Sequence, residues 1–196
     1  MKTHLRKPRA VPAAQRGFTL VEALVVLALI AILLGFAAPN LASFQRSSQL
    51  RAAASAFLAA VQVARTEAMK RGVDVYMAPA ASNDWATGWV VFADADWDQA
   101  LDRSKDAVVL EAGPIPAQAS VAAGLTDASQ FADASSRYIR FNGGGFPQTK
   151  TGAPSSGAIE FGVAGATELR RRVVLNAVGR ARLCDPARDL GTDCRQ

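Results

Sequence analysis

The sequence predicts an α+β fold in which one long N-terminal α-helix precedes a β-rich globular domain. Three observations carry this. From Thr19 to Arg71 the pattern is helical, first apolar on all sides and then amphipathic. After Gly72 it changes to short β-rich runs bounded by Gly, Pro, Asn or Asp. The 196 residues, half of them hydrophobic, suit one domain with one core.

Residues 18–38 read FTLVEALVVLALIAILLGFAA, interrupted by Thr19 and Glu22 as the clearly polar groups. At about 1.5 Å per residue this stretch spans a bilayer core of about 30 Å. The basic residues before it hold that end in the cytoplasm. A secretory signal peptide shares the basic start and apolar run. Its apolar part is shorter, about 7–15 residues, and ends at a small-residue cut. Here the run continues into a helix, with Ala37-Ala38-Pro39 as the one weak cut. A carboxylate at membrane depth costs about 2.5–3.5 kcal/mol, so Glu22 needs a partner or a function.

After Pro39, Leu50, Ala54, Phe57, Val61, Ala64 and Ala68 form one apolar stripe, with Arg46, Arg51, Arg65 and Lys70 off it. The alanines allow close approach to a sheet. Lys70 and Arg71 suit the negative end of the helix dipole, and Gly72 is the expected stop. Gly35 and Pro39 mark the place for a kink.

Strands are expected at Val73–Met77, Gly88–Phe92, Val108–Glu111, Tyr138–Phe141, Ala158–Val163, Val173–Asn176 and Gly179–Leu183. Asn142-Gly143-Gly144-Gly145-Phe146-Pro147 reads as a turn, because the Lys-Ser/Thr and helix of a phosphate loop do not follow. The Ala- and Ser-rich stretch 112–136 is expected to be irregular.

The formal net charge is +5, but Lys2, Arg6, Lys7, Arg9 and Arg16 all precede Gly17 and no acid accompanies them. Without those five, the 22 basic residues fall to 17, equal to the 17 acidic ones. Global charge is then no argument for a polyanionic partner. The chain keeps an acidic middle and a basic end, and a local basic patch can still hold phosphate. The one histidine is His4, so residues 18–196 lack the commonest general base and metal ligand. No nucleophile–base set is visible, and neither an enzymatic role nor a cofactor or metal is expected. Cys184 and Cys194, ten apart, suit a disulfide in an exported chain; two reduced thiols are the alternative.

Four further groups invite chemistry. Asp94, Asp96, Asp98 and Asp102 suggest a calcium loop, but its register puts Gln99 and Lys105 where Gly and Glu belong, which favours a solvated acidic loop. Trp85, Trp89 and Trp97 suit either base stacking or packing, with Trp89 expected in the core. Arg170-Arg171-Arg172 enters a strand, Arg170 and Arg172 on one side and Arg171 on the other, and is expected to face solvent. In Gly179-Arg180-Ala181-Arg182, an extended chain sets the two arginines on one face, about 6.6 Å apart, near the spacing of successive phosphates. Arg188 and Arg195 extend this patch, and Asp185, Asp189 and Asp193 oppose it.

Arg16-Gly17-Phe18-Thr19-Leu20-Val21-Glu22 resembles the prepilin peptidase site of type IV pilins and type II secretion pseudopilins. The resemblance implies cleavage between Gly17 and Phe18, N-methylation of Phe18, and pairing of Glu22 with an N-terminal ammonium during assembly. Pro39 also matches the family pattern. Ala64 to Gly72, Gly88 to Asp94, Val173 to Asn176 and Gly179 to Arg182 resemble the FimT/GspH minor pilins and pseudopilins. The implied fold is type IV pilin-like, with the long helix packed against antiparallel β-sheet.

The expected organisation is therefore a leader at 1–17, a membrane or filament-core half-helix at 18–38, an amphipathic half at 39–71 and a globular β-rich domain at 72–196. The expected location is the bacterial inner membrane, with the domain in the periplasm or in a surface pilus. Expected partners are prepilin peptidase and other pilins or pseudopilins. Gly179-Arg180-Ala181-Arg182 resembles the element by which FimT-type minor pilins bind DNA without sequence preference in natural transformation. A GspH-like pseudopilin, capping or priming a type II secretion pseudopilus, is the rival reading.

Overall fold

The computed structural model describes residues 18–116, 119–122, 137–163, 166–189 and 194, with the side chains of 35–42, 119–122 and 167 excepted. The leader with Gly17, the segment 123–136, Asp193 and Arg195 lie outside the described residues. The fold is α+β, a helix with antiparallel sheets, as the sequence predicts.

Helix α1 covers Leu20–Arg71. Thr19 caps it, its Oγ1 accepting the Glu22 N–H at 3.2 Å. Gly72 ends it at φ +69°, its N–H donating to the Ala68 carbonyl at 2.8 Å. The chain forms two compact units divided between Ala42 and Ser43. In the first, Leu20, Val21, Leu24, Val25 and the other apolar side chains through Leu34 are exposed. Among the described residues no helix is long and apolar enough to cross a membrane. The expected span at 18–38 runs on into side chains outside that description.

In the second unit all six residues of the expected helical stripe, Leu50 to Ala68, are buried. The strands that follow are β1 (Val75–Ala81), β2 (Asp84–Ala93), β3 (Ala107–Ala112), β4 (Ala119–Ala122), β5 (Ile139–Phe141), β6 (Pro147–Gln148), β7 (Gly157–Val163), β8 (Ala166–Leu175) and β9 (Ala181–Cys184). These form two antiparallel sheets, ordered β3-β2-β1-β5-β6 and β4-β7-β8-β9. One apolar core joins the helix to both sheets. At its centre Phe57 meets Trp85, Trp89 and Phe161 edge-on, with ring centroids 5.1, 5.2 and 5.5 Å away. The outer face of the first sheet carries a second cluster of Tyr76, Val90, Phe92 and Tyr138. Burial there raises the Tyr76 hydroxyl above the usual tyrosine range.

The expected strands differ from these in several places, among them the start of β2 at Asp84 and the short β6 at the end of the expected turn. The strand expected at Val173–Asn176 begins at Ala166, because Arg170–Arg172 pair with β7 and continue the ladder. β4 lies inside the stretch expected to be irregular, paired with β7 from Ala119 opposite Val163 to Ala122 opposite Glu160. The strand expected at Gly179–Leu183 starts at Ala181, because a turn occupies Gly179 and Arg180.

Candidate nucleic-acid interface

A hairpin turn builds the segment that carries Arg180. The Gly179 N–H donates to the Asn176 carbonyl at 2.9 Å, and the Asn176 N–H to the Arg180 carbonyl at 3.1 Å. Asn176 Oδ1 accepts the Arg180 N–H at 2.8 Å. Gly179 stands at φ +81°, so the turn is a hairpin loop closed by a glycine bulge.

The same device joins β5 to β6. The Gly145 N–H donates to the Asn142 carbonyl at 2.8 Å, and the Asn142 N–H to the Phe146 carbonyl at 3.0 Å. Asn142 Oδ1 accepts the Phe146 N–H at 3.0 Å, and Gly145 stands at φ +77°. Arg65 on α1 holds both turns. Its Nε donates to the Gly145 carbonyl at 3.1 Å, Nη1 to the Gly179 carbonyl at 2.8 Å and Nη2 to the Val178 carbonyl at 3.2 Å. The rigid fork of a guanidinium suits this; an ammonium cannot reproduce it. Sequence reasoning left Arg65 as a polar residue off the stripe. The available signal was the repeated Asn-x-x-Gly of 142–145 and 176–179.

Arg180 is exposed and has no ion pair among the described residues. It borders a groove of about 380 Å³ between α1 and the start of β9, lined also by Val61, Gln62, Arg65, Thr66 and Met69. Arg182 sits in β9 opposite Val174, half-buried and already engaged. The two arginines thus have unequal surroundings. Arg188 is exposed beyond the other end of β9, 3.8 Å from Asp185, beside a cavity of about 290 Å³ lined also by Arg51 and Arg171. Arg51 and Arg65 are fourteen residues apart on α1, about 21 Å at ~1.5 Å per residue. Arg180 and Arg188 therefore mark opposite ends of one seam between α1 and β9. Asp185, expected to weaken the patch, is bound by Arg171 at 2.8 Å. Cys184 and Cys194 form a disulfide.

Of the arginine triplet, Arg170 is exposed as expected, whereas Arg171 and Arg172 are turned away from solvent. The alternation holds, but Arg170 and Arg172 both bind the buried Glu160, at 3.2 and 2.6 Å. Arg172 also donates to the Cys194 carbonyl at 2.8 Å. The three guanidiniums are taken by carboxylates that β7 and the end of β9 bring up from elsewhere in the chain.

The acidic loop organises itself. Asp94, buried, accepts the Trp97 and Gln99 N–H groups at 2.8 and 3.0 Å. Asp106 accepts those of Ala95 and Asp102 at 3.0 and 2.7 Å, and Lys105 binds Asp96 at 2.7 Å. Asp94, Asp96 and Asp106 bring oxygens within 4.8 Å of one another, an arrangement that an oxygen-preferring cation accepts. All three are already satisfied by the loop. Burial pushes the Asp94 carboxyl above its ordinary range. Trp85 and Trp89 are buried in the core and closed to stacking, whereas Trp97 is exposed.

A family model described as type II transport protein GspH matches residues 53–179, and one described as a prokaryotic N-terminal methylation motif matches residues 12–38. Two crystal structures of the type IV minor pilin FimU of Pseudomonas aeruginosa (strain PAO1), in different space groups, have similar folds. One is 18% identical with a TM-score of 0.54, covering 72% of this chain and 92% of that one. The other is 17% identical with a TM-score of 0.50, covering 68% and 91%. No curated protein sequence matches significantly.

Proposed function

The chain belongs to the GspH family of type II transport proteins, and from that premise we propose that it is a minor pilin that binds DNA. In this reading prepilin peptidase cuts between Gly17 and Phe18, and Phe18 is then N-methylated. The segment 18–38 anchors the protein in the inner membrane, with the globular domain in the periplasm. Glu22 pairs with an N-terminal ammonium as the protein joins other pilins in a filament. The match of residues 12–38 to the methylation motif supports this. So does the apolar start of α1, exposed on the single chain and in need of lipid or of other helices.

The observation that carries DNA binding is Arg180: an exposed guanidinium without a carboxylate partner among the described residues, held at the mouth of a groove by a turn that Arg65 fixes to the helix. Gly179 shapes that turn, Arg182 follows on β9, Arg188 adds positive charge toward the other end, and Arg195 is the further arginine the reading includes. Guanidiniums placed in this way grip phosphates without reading sequence and serve uptake of DNA in natural transformation.

The test is DNA binding by the full-length chain in detergent micelles across a salt series. Arg180→Ala with Arg182→Ala is expected to weaken binding and to flatten the salt slope by roughly 0.9 for the phosphate that Arg180 neutralises, with a smaller share from the already engaged Arg182. Unchanged affinity in the folded double variant refutes the site. For processing, Gly17→Ala is expected to accumulate uncut precursor in cells, and normal maturation defeats that part of the proposal.

A second reading has its own observation. The GspH match ends at Gly179, before Arg180 and Arg182. A pseudopilin that caps or primes a type II secretion pseudopilus needs neither arginine for DNA. Loss of secretion with intact transformation, on deleting the gene, favours it.

A further inference from the structure

The Arg65 staple places a second kind of side chain beside Arg180. In the two turns, Phe146 and Arg180 hold the same place. Each follows a left-handed glycine, and each N–H is held by its turn's asparagine Oδ1. The carbonyls just before them, of Gly145 and Gly179, accept from one guanidinium. The Gly145 oxygen lies 2.6 Å from where a Cβ on Gly179 would stand. The ring and the guanidinium thus leave the backbone at neighbouring points. Phe146 is 50% exposed, and the nearby Met69 and Val178 are 48% and 59% exposed. Gly144 leaves room for the ring: a Cβ there would stand 3.2 Å from Phe146 Cδ2.

Among the described residues no carboxylate neutralises the charge at this corner. Arg65 donates to carbonyls alone, and Arg180 has no ion pair among the described residues. Glu67 on the same helical turn is matched by both Lys70 and Arg71, whose hydrogen bonds hold its carboxyl below the usual range.

An uncommitted guanidinium asks for an anion, and an exposed ring among apolar side chains asks for a flat partner. Duplex DNA offers the first and keeps its base faces stacked inside. A single strand offers both at short spacing, which is how aromatic groups in basic grooves hold it. We infer that the Phe146–Arg180 corner is a subsite for single-stranded nucleic acid, with a phosphate on Arg180 and a base stacked on Phe146. The inference rests on the DNA-binding reading above and gives it a preferred form of substrate.

The experiment measures fluorescence anisotropy with the full-length chain in detergent micelles and three probes: a mixed-sequence single strand, its duplex, and the same single strand with bases removed. The intact single strand is expected to bind tightest. Phe146→Ala is expected to weaken it about tenfold, the size of one base stack, and to leave the duplex unchanged. The base-free strand should bind wild type as weakly as the intact strand binds Phe146→Ala, and that variant should not distinguish the two strands. Phe146→Trp should retain the preference, and Arg180→Ala should weaken single strand and duplex alike. Indifference of wild type to base removal overturns the inference while leaving phosphate binding in place. Equal losses on single strand and duplex in Phe146→Ala do the same. No binding of any probe refutes the DNA reading itself. If Phe146→Ala leaves all DNA binding intact and abolishes co-purification with other pilins, the corner is a protein-docking surface and the inference fails.

Discussion

The guanidinium of Arg65 donates to the carbonyl of Gly179 at 2.8 Å, across 114 residues of sequence. Through the same fork it holds Gly145, so one side chain of the helix sets two turns from two different sheets.

That relationship makes the two glycines unequal. Both stand at positive φ, where an L side chain is strained. A Cβ on Gly179 meets the Gly145 carbonyl at 2.6 Å, which is backbone. A Cβ on Gly145 meets Met69 Cγ and Sδ at 2.7 Å, in a flexible side chain that can turn away. Gly179→Ala is expected to cost more than Gly145→Ala, by about 1 kcal/mol or more, in urea unfolding. Arg65→Lys should destabilise as well, since an ammonium cannot hold three carbonyls in the same fork. Equal effects of the two glycine variants would count against this packing.

Glu160 is buried between Arg170 and Arg172. Glu160→Ala leaves the shielded Arg172 guanidinium without its carboxylate, and the expected loss is about 3–5 kcal/mol. Arg170→Ala removes the more exposed arm and should cost under about 1 kcal/mol. Chemical denaturation of both variants checks the order.

Burial raises the Asp94 carboxyl, so the folded state holds that proton more tightly than the unfolded chain does. Its contribution to stability is then greatest at low pH and falls as pH rises through the raised value. Asp94→Asn removes this dependence. Asn keeps one acceptor oxygen where Asp94 uses two, for the Trp97 and Gln99 N–H groups, so the variant starts less stable at pH 3 and the stability gap to wild type is expected to narrow by pH 7. Glu67, Asp96, Asp102 and Glu111, held low mainly by hydrogen bonds to cationic or hydroxyl side chains, act in the opposite sense but are common to both proteins and cancel. A gap that widens with pH would contradict the assignment. Thermal melts at the two pH values measure it.

The disulfide closes a short loop from Cys184 to Cys194. Chain-entropy arguments give about 2–3 kcal/mol for a loop of this length. Cys194→Ser, or reduction of the wild type, should lower stability by that amount. Because Arg172 grips the Cys194 carbonyl, Arg172→Ala in the reduced protein should add little more than its loss at Glu160. Both are read from denaturation midpoints with and without reductant.

The residues themselves determined the local features. The stripe from Leu50 to Ala68 could be read because a helix repeats every 3.6 residues, and one buried face leaves that period in the sequence. The stop at Gly72, the turn at Asn142–Pro147, the alternation of the arginine triplet and the Gly17–Phe18 motif are local in the same way, each needing only a few neighbouring residues. The tertiary structure alone decided the partners. Arg65, Arg171 and Arg180 are the same chemical group; the Gly-Arg-x-Arg pattern marks Arg180, but no neighbouring residue says which carbonyls or carboxylates each will meet. Two turns at 145 and 179 engage the first, Asp185 neutralises the second, and the third is exposed at the groove between α1 and β9. Likewise Glu160 is an ordinary polar position on β7 until β8 lays Arg172 across it. Periodicity is a property of the chain, whereas charge pairing is a property of where folding carries distant segments. That is why the helix could be read in advance and the partners of the arginines could not.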